Sequence, residues 1–407
     1  MTHALPSGAA GNRALLFVFL AATIEGFDLQ AAGVAAPKIA PVFHLTPQQM
    51  GLFFSSATLG LMFGALAGGY TADRWGRRAG LVIALLAFGI ASLATVFATS
   101  VEMLIGLRFL TGVGLGGALP NLVSIASEAV APERKGRAVA LMYAGMPLGA
   151  AVASLVALLD FHGDDWRSIF LVGGLLPLLL VPPILAGLPP LKIAPHGPAP
   201  RVAWTEIFRP DAMGTTVLLW ITFFLGLMVV YLLMNWLPQL LVVHGFSRSE
   251  ASLAQILYSL GGVAGSLIGG HLLDSRWRLP AIGIAFAFVA AALALLGVLP
   301  PVLALTLSVV ALVGGGVLCV QSVLYGVAPQ CYPMEIRGTG VGLVVAVGRL
   351  GSMAGPLLAG ALVAYGSTPS DVMLLMVPVI LACGVGTLAL IALRFRPVGA
   401  VVLEAGH

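Results

Sequence analysis

Four ionisable side chains stand in runs that are otherwise apolar: Glu25 and Asp28 in TIEGFDLQAAG (23–33), Arg108 in LIGLRFLTG (104–112), and Arg349 in VVAVGRLGSMAGP (344–356). A carboxylate in such surroundings is costly unless it is paired, hydrated or protonated, so each acid is a candidate proton carrier. Their i, i+3 spacing puts Glu25 and Asp28 on one face of a helix. An arginine does not readily discharge by losing its proton and therefore needs an anion. Asp28 could pair with Arg108 when ionised and let go when protonated, tying proton loading to a rearrangement, since desolvation raises a carboxyl's pKa and an arginine lowers it. A permanent bridge is the alternative, as static bridges between helices are for the two acids together. Arg349 has no acidic residue in its own stretch, which suits capture of a carboxylate arriving with a ligand through two parallel hydrogen bonds. A bridge from Arg349 to Glu25 or Asp28 is the other option.

The elements that carry these groups follow from composition. Of 407 residues, 59% are hydrophobic and 9% charged, against about 25% charged in a soluble domain. Such a chain cannot cover a surface in water and reads as an all-α integral membrane protein. Twelve apolar spans are expected near 14–37, 47–71, 79–99, 102–127, 136–158, 166–187, 212–241, 250–272, 279–298, 302–326, 336–364 and 371–394. The runs are too long for barrel strands and lack two-residue alternation. The first span, preceded by Arg13, is too long for a signal-peptide core and is expected to be retained. At about 1.5 Å per residue, Glu25 lies roughly 18 Å beyond Arg13, near the bilayer centre, with Asp28 about one turn further out. Arg108 falls in the outer half of the fourth span, and Arg349 near the midplane of the eleventh.

Placing both termini in the cytoplasm puts most Lys and Arg residues on that side and leaves Lys38, Arg167 and Arg248 outside, as the positive-inside rule requires. The formal charge of +4 then reflects orientation and not a nucleic-acid footprint. Cys319, Cys331 and Cys383 have no CxxC spacing, so neither a metal site nor a disulfide framework is expected. The proline-rich stretch from Leu188 to Arg209 reads as a linker, dividing the chain into a six-helix bundle at 1–187, a cytoplasmic linker at 188–211 and a second bundle at 212–407. An internal repeat supports that division. GGYTADRWGRR (68–78) has a degraded copy in GGHLLDSRWR (269–278), and a glycine-rich segment from Gly112 has a counterpart from Gly314. Paired bundles with a midplane site between them are the architecture of many secondary transporters. GVGLGG (112–117) matches the dinucleotide fingerprint formally, but no strand precedes it, and close helix packing is the expectation. No GxxxxGK[ST] phosphate loop is present, so ATP drive and cofactors are not expected.

GxxxDRxGRR at 69–78 resembles the signature of the major facilitator superfamily, and Arg108 with the glycines of RFLTGVGLGG resembles its fourth-helix motif. Within that superfamily, EGFDLQAAG in the first span resembles the aromatic acid/proton symporter family, whose commoner form has Asp at the position of Glu25. ALPNL, SEA (127–129) and LMYAGMPLGAA from Leu141 are similar to transporters of 3-(3-hydroxyphenyl)propionate and related hydroxylated aromatic acids. The resemblance implies the major facilitator fold, with twelve transmembrane helices in two pseudo-symmetric bundles. It also implies a cytoplasmic latch holding the outward-open state through Asp73, with Gly69, Arg74, Arg77 and Arg78 in the same loop; membrane anchoring by the arginines is the plainer alternative.

The resulting expectation is a monomeric, multi-pass protein of a bacterial inner membrane, not an enzyme, that imports a hydroxylated aromatic carboxylate with protons by alternating access. Asp28, Glu25 and Arg108 would couple the proton. Arg349, Glu25, Gln321, Tyr143, Asn121 and Tyr325 would hold the substrate, with tyrosine faces for the ring and amides for phenolic hydroxyls. Gln321 stands out because it interrupts a strongly apolar run. Tyr231, Asn235, Trp236, Gln239, Gln255 and Tyr258 are further candidates, although Asn235, Trp236 and Gln239 could lie near the outer surface, where Trp belongs to the interfacial belt. An efflux antiporter and a receptor that binds without turnover are the competing readings.

Overall fold

A computed structural model describes residues 8–131, 134–159, 165–188, 209–333 and 336–394. Among the described residues twelve α-helices follow one another: α1 (Gly8–Phe43), α2 (Pro47–Trp75), α3 (Arg77–Thr95), α4 (Val101–Glu128), α5 (Lys135–Leu159), α6 (Arg167–Gly187), α7 (Pro210–Val243), α8 (Arg248–Asp274), α9 (Arg278–Val298), α10 (Leu303–Val327), α11 (Arg337–Ala364) and α12 (Pro369–Arg394). All twelve are long and apolar enough to cross a membrane. The first is longer than expected, because it runs through Pro37 and Pro41 to Phe43 and does not stop at the first proline. Three starts are fixed by the same device. Thr46 caps α2 in a reciprocal box with Gln49, Ser247 caps α8 with Glu250, and Thr368 caps α12 with Asp371, satisfying amides that the helix itself leaves unpaired.

Helices α1 to α6 pack chiefly on one another, as do α7 to α12. Glycines set the closest approaches. A Cβ on Gly60, Gly64 or Gly68 of α2 would strike the backbone of α4, and one on Gly112 or Gly116 would strike α2 in return. The same ladder recurs about 200 residues later. There Gly261, Gly265 and Gly269 of α8 lie against the backbone of α10, and Gly314 lies against α8 at Tyr258. GVGLGG is thus a small-residue packing stripe, as small-xxx-small spacing allows. Most of the expected linker, residues 189–208, lies outside the described residues.

Between the two sets, α2 packs on α11, α5 on α8, and α1 on α7. The closest of these contacts gather at the end remote from the chain termini. Gly51 meets Pro356, Gly360 meets Pro47, and Gly33 meets Met234. Hydrogen bonds cross the same seam: Ser55 Oγ donates to the Met353 carbonyl at 2.8 Å, Gln30 Nε2 to the Met234 carbonyl at 2.9 Å, and Gln255 Nε2 to Gln30 Oε1 at 3.0 Å. Towards the other end, Tyr143 and Tyr325 are 42% and 37% exposed although both lie near Glu25 and Arg349. The space between the sets is closed at the remote end and accessible from the end that carries the termini.

Candidate functional site

Asp28, on the middle of α1, is fully buried, and so is Arg108 on α4. Arg108 Nη1 lies 3.0 Å from Asp28 Oδ2, while Nη2 donates to the Asp28 backbone carbonyl at 3.3 Å. Ser92 on α3 donates its hydroxyl to the other carboxylate oxygen at 3.1 Å. The guanidinium carbon also stands 5.9 Å from the centre of the Phe170 ring on α6. The pair is therefore held from four helices, and only Arg108 Nε is left without an acceptor. A buried charge pair of this kind survives because most of its remaining valences are satisfied.

Glu25, nearly one turn earlier, is also buried, but its Oε2 has no hydrogen-bond partner. It lies within electrostatic reach of Arg349 on α11, from the other set of helices, with Tyr143 and Tyr325 around the same point. Arg349 donates through Nη1 to the Tyr231 hydroxyl at 2.6 Å and stands 5.9 Å over that ring. Its hydrogen bond thus goes to a phenolic oxygen on α7. Tyr325 on α10 packs its ring against Phe223 at 5.3 Å and has Gln321 beside it. Glu25, Tyr143, Gln321, Tyr325 and Arg349 are brought together here. Tyr231, one of several further candidates on the sequence, is the group that holds the arginine.

A cavity of about 130 Å³ adjoins this cluster, between α1, α5, α7, α8 and α10. Tyr231 and Gln321 are common to both, so the arginine is hydrogen-bonded to one of the residues that line the cavity. Gly26 keeps α1 close to Met146 of α5 along its margin. Gln30, Tyr231, Tyr258, Ser259 and Gln321 are the polar side chains that line it.

Asn121 lies apart from this cluster. Its amide is buried, donates to the Gly117 carbonyl at 2.8 Å, and faces Gly80 of α3 inside the first set of helices. Helical depth alone could not distinguish that direction from the cavity. Trp236 is not in an interfacial belt either. It is 1% exposed, donates to the Pro356 carbonyl at 3.0 Å, and meets Phe54 edge-on across the seam. In the expected latch, Arg74 donates to the Tyr70 hydroxyl at 3.1 Å, and Arg78 donates to the Leu188 carbonyl at 2.7 Å. Gly69 has no neighbour within 4 Å of a Cβ position. The side chain of Asp73 lies outside the described residues. Among the described residues no cluster of His, Cys, Asp and Glu could hold a metal ion.

The profile of the Major Facilitator Superfamily matches residues 18–347 and again 244–405. The chain is 42% identical to the 3-(3-hydroxy-phenyl)propionate transporter of Escherichia coli over 97% of its length and 98% of that protein. It is 32% identical to the 4-hydroxybenzoate transporter PcaK of Pseudomonas aeruginosa, covering 87% of this chain and 86% of the other. Among solved structures, a bacterial homologue of the human lysosomal transporter Spinster superposes with a TM-score of 0.78 at 17% identity, over 94% of this chain and 98% of that one.

Proposed function

This chain belongs to the major facilitator superfamily, and on that premise we propose that it imports a hydroxylated aromatic carboxylate together with protons. At the coarser level it is a multi-pass membrane transporter of aromatic acids and not an enzyme. The finer reading is carried by one observation: Arg349 spends its hydrogen bond on a tyrosine hydroxyl while a nearby acid, Glu25, keeps an oxygen without a partner. A substrate carboxylate can take the arginine in two parallel hydrogen bonds, provided that Glu25 carries no charge to repel it.

The cycle follows from that competition. Protonated Glu25 favours an anion on Arg349. When Glu25 loses its proton its own carboxylate attracts Arg349, and the substrate anion is displaced. With both termini cytoplasmic, as the basic residues favour, the accessible face is the cytoplasmic one, where proton activity is lower and release follows. Asp28 and Arg108, on the same stretch of α1, form the second coupling element: protonation of Asp28 would loosen the guanidinium and free α1 to move against α4. The bodies that rock are the bundles 1–187 and 212–407, joined by 188–211, in a bacterial inner membrane, and the unit that does so is a monomer. The loop with Asp73, Arg74, Arg77 and Arg78 would latch the cytoplasmic side in the opposite state.

Reconstituted protein in proteoliposomes tests this with radiolabelled aromatic acids and an imposed pH gradient. Accumulation should appear when the trans side is alkaline and vanish when the gradient is collapsed. Glu25→Gln should retain exchange of internal for external substrate but lose uphill uptake. Uphill uptake undiminished in that variant would refute the role of Glu25, and depletion of substrate in place of accumulation would make the protein an antiporter.

A further inference from the structure

We infer that Tyr258 is the residue that reads the ring hydroxyl of the substrate; this rests on the transport function proposed above and names the specificity group of the same site. Tyr258 lies on α8, is 4% exposed, and contributes to the wall of the cavity between the two sets of helices. Its hydroxyl has no hydrogen-bond partner. A buried phenol normally finds one, and leaving it unpaired is unfavourable. The other polar groups that line the cavity have partners, Gln321 with Tyr325 and Tyr231 with Arg349. Gln30 donates to the Met234 carbonyl and accepts from Gln255, and Ser259 donates to the Gln255 carbonyl at 3.0 Å.

The dimensions fit one aromatic ring. A dry cavity of about 150 Å³ takes a benzene molecule, and this one is about 130 Å³. Met146, Pro147, Val230, Met234 and Leu318 give it apolar walls suited to a ring. Tyr231, whose hydroxyl holds Arg349, and Gln321 complete its polar lining. A carboxylate on the arginine therefore places the attached ring beside Tyr231 and directs it into the cavity, where the substrate hydroxyl meets Tyr258. A site built to bond a hydroxyl discriminates against the analogue that lacks one, because its own group is then left unpaired.

The test uses two matched pairs in proteoliposomes: 3-(3-hydroxyphenyl)propionate against 3-phenylpropionate, and 4-hydroxybenzoate against benzoate. The wild-type protein should favour the hydroxylated member of at least one pair by roughly tenfold in uptake efficiency, the equivalent of one hydrogen bond. Tyr258→Phe should bring that ratio to within about twofold, chiefly by weakening the hydroxylated acid, with uptake of the deoxy acid retained as proof of an intact carrier. An unchanged ratio in Tyr258→Phe, or a wild-type protein with no preference in either pair, would overturn the assignment while leaving the transport function standing. Loss of all uptake in a Tyr258→Phe protein that elutes as a folded monomer would make Tyr258 structural and overturn it too. Failure of the wild-type protein to take up any of the four acids would instead remove the transport reading, and this inference with it.

Discussion

Asp28→Asn removes one charge from a pair whose members are at most 1% exposed and 3.0 Å apart. At an effective dielectric constant of about 20 the attraction at that distance is on the order of 5–6 kcal/mol. Much of it offsets the desolvation of the two ions, so the pair itself adds little net stability. Removing one partner is different: the asparagine can still accept from Ser92 and Arg108, but the guanidinium, already lacking an acceptor at Nε, becomes an uncompensated buried cation. The expected loss is about 3–5 kcal/mol. Arg108→Met should lose a comparable amount by stranding the aspartate. The double variant Asp28→Asn/Arg108→Met buries no charge and should recover most of the loss, giving a coupling energy of roughly 5 kcal/mol or more, the two single losses less the small loss left in the double. Equilibrium unfolding in mixed micelles, followed by far-ultraviolet circular dichroism, measures all four proteins on one scale. Strictly additive single losses would refute the pairing as an energetic unit, and a harmless Asp28→Asn would show that Asp28 is already neutral in this state.

Arg349→Lys keeps the charge but loses the planar fork, so binding of an aromatic acid, followed by scintillation proximity, should weaken by roughly tenfold or more. Tyr231→Phe takes away the acceptor at 2.6 Å and leaves the arginine less well aimed; KM should rise while the stability of the purified protein stays within about 1 kcal/mol. Gly64→Ala forces a methyl group onto the Val113 carbonyl and should lower stability by about 1–3 kcal/mol in the same unfolding assay. Gly69→Ala meets open space and should gain up to about 1 kcal/mol from helix propensity, so any transport defect in that variant would report on the latch and not on packing.

Depth along a helix was legible in the sequence, and direction around it was not. Counting residues from Arg13 placed Glu25 and Asp28 at mid-membrane, and the demand of Arg108 for an anion pointed to the partner observed at 3.0 Å. The twelve spans emerged because lipid requires long apolar runs with satisfied backbones. Asn121 fell at a plausible depth but faces α3, since a buried amide serves helix packing as readily as a cavity. Ser92 carried no signal: a single serine in an apolar helix gives no sign that it donates to a carboxylate 64 residues earlier in the chain. Gln30 was likewise unremarkable beside two acids, yet it is the residue bonded to both α7 and α8. Proline rules shortened α1 in the sequence reading, whereas in the fold its last turns continue past Pro37 and Pro41 among packed neighbours.

The hydrogen bonds from Ser55, Gln30 and Gln255 across the seam join hydroxyl, amide and carbonyl groups, and none of these three carries a formal charge. Parting them moves no net charge through the membrane field. A unit charge crossing 100 mV gains about 2.3 kcal/mol, but these contacts contribute nothing of that kind. Their rupture should be indifferent to voltage. Electrical sensitivity of turnover then belongs to the charged groups elsewhere in the membrane, Glu25, Asp28, Arg108 and Arg349 with the proton and anion they hold, and not to these three contacts.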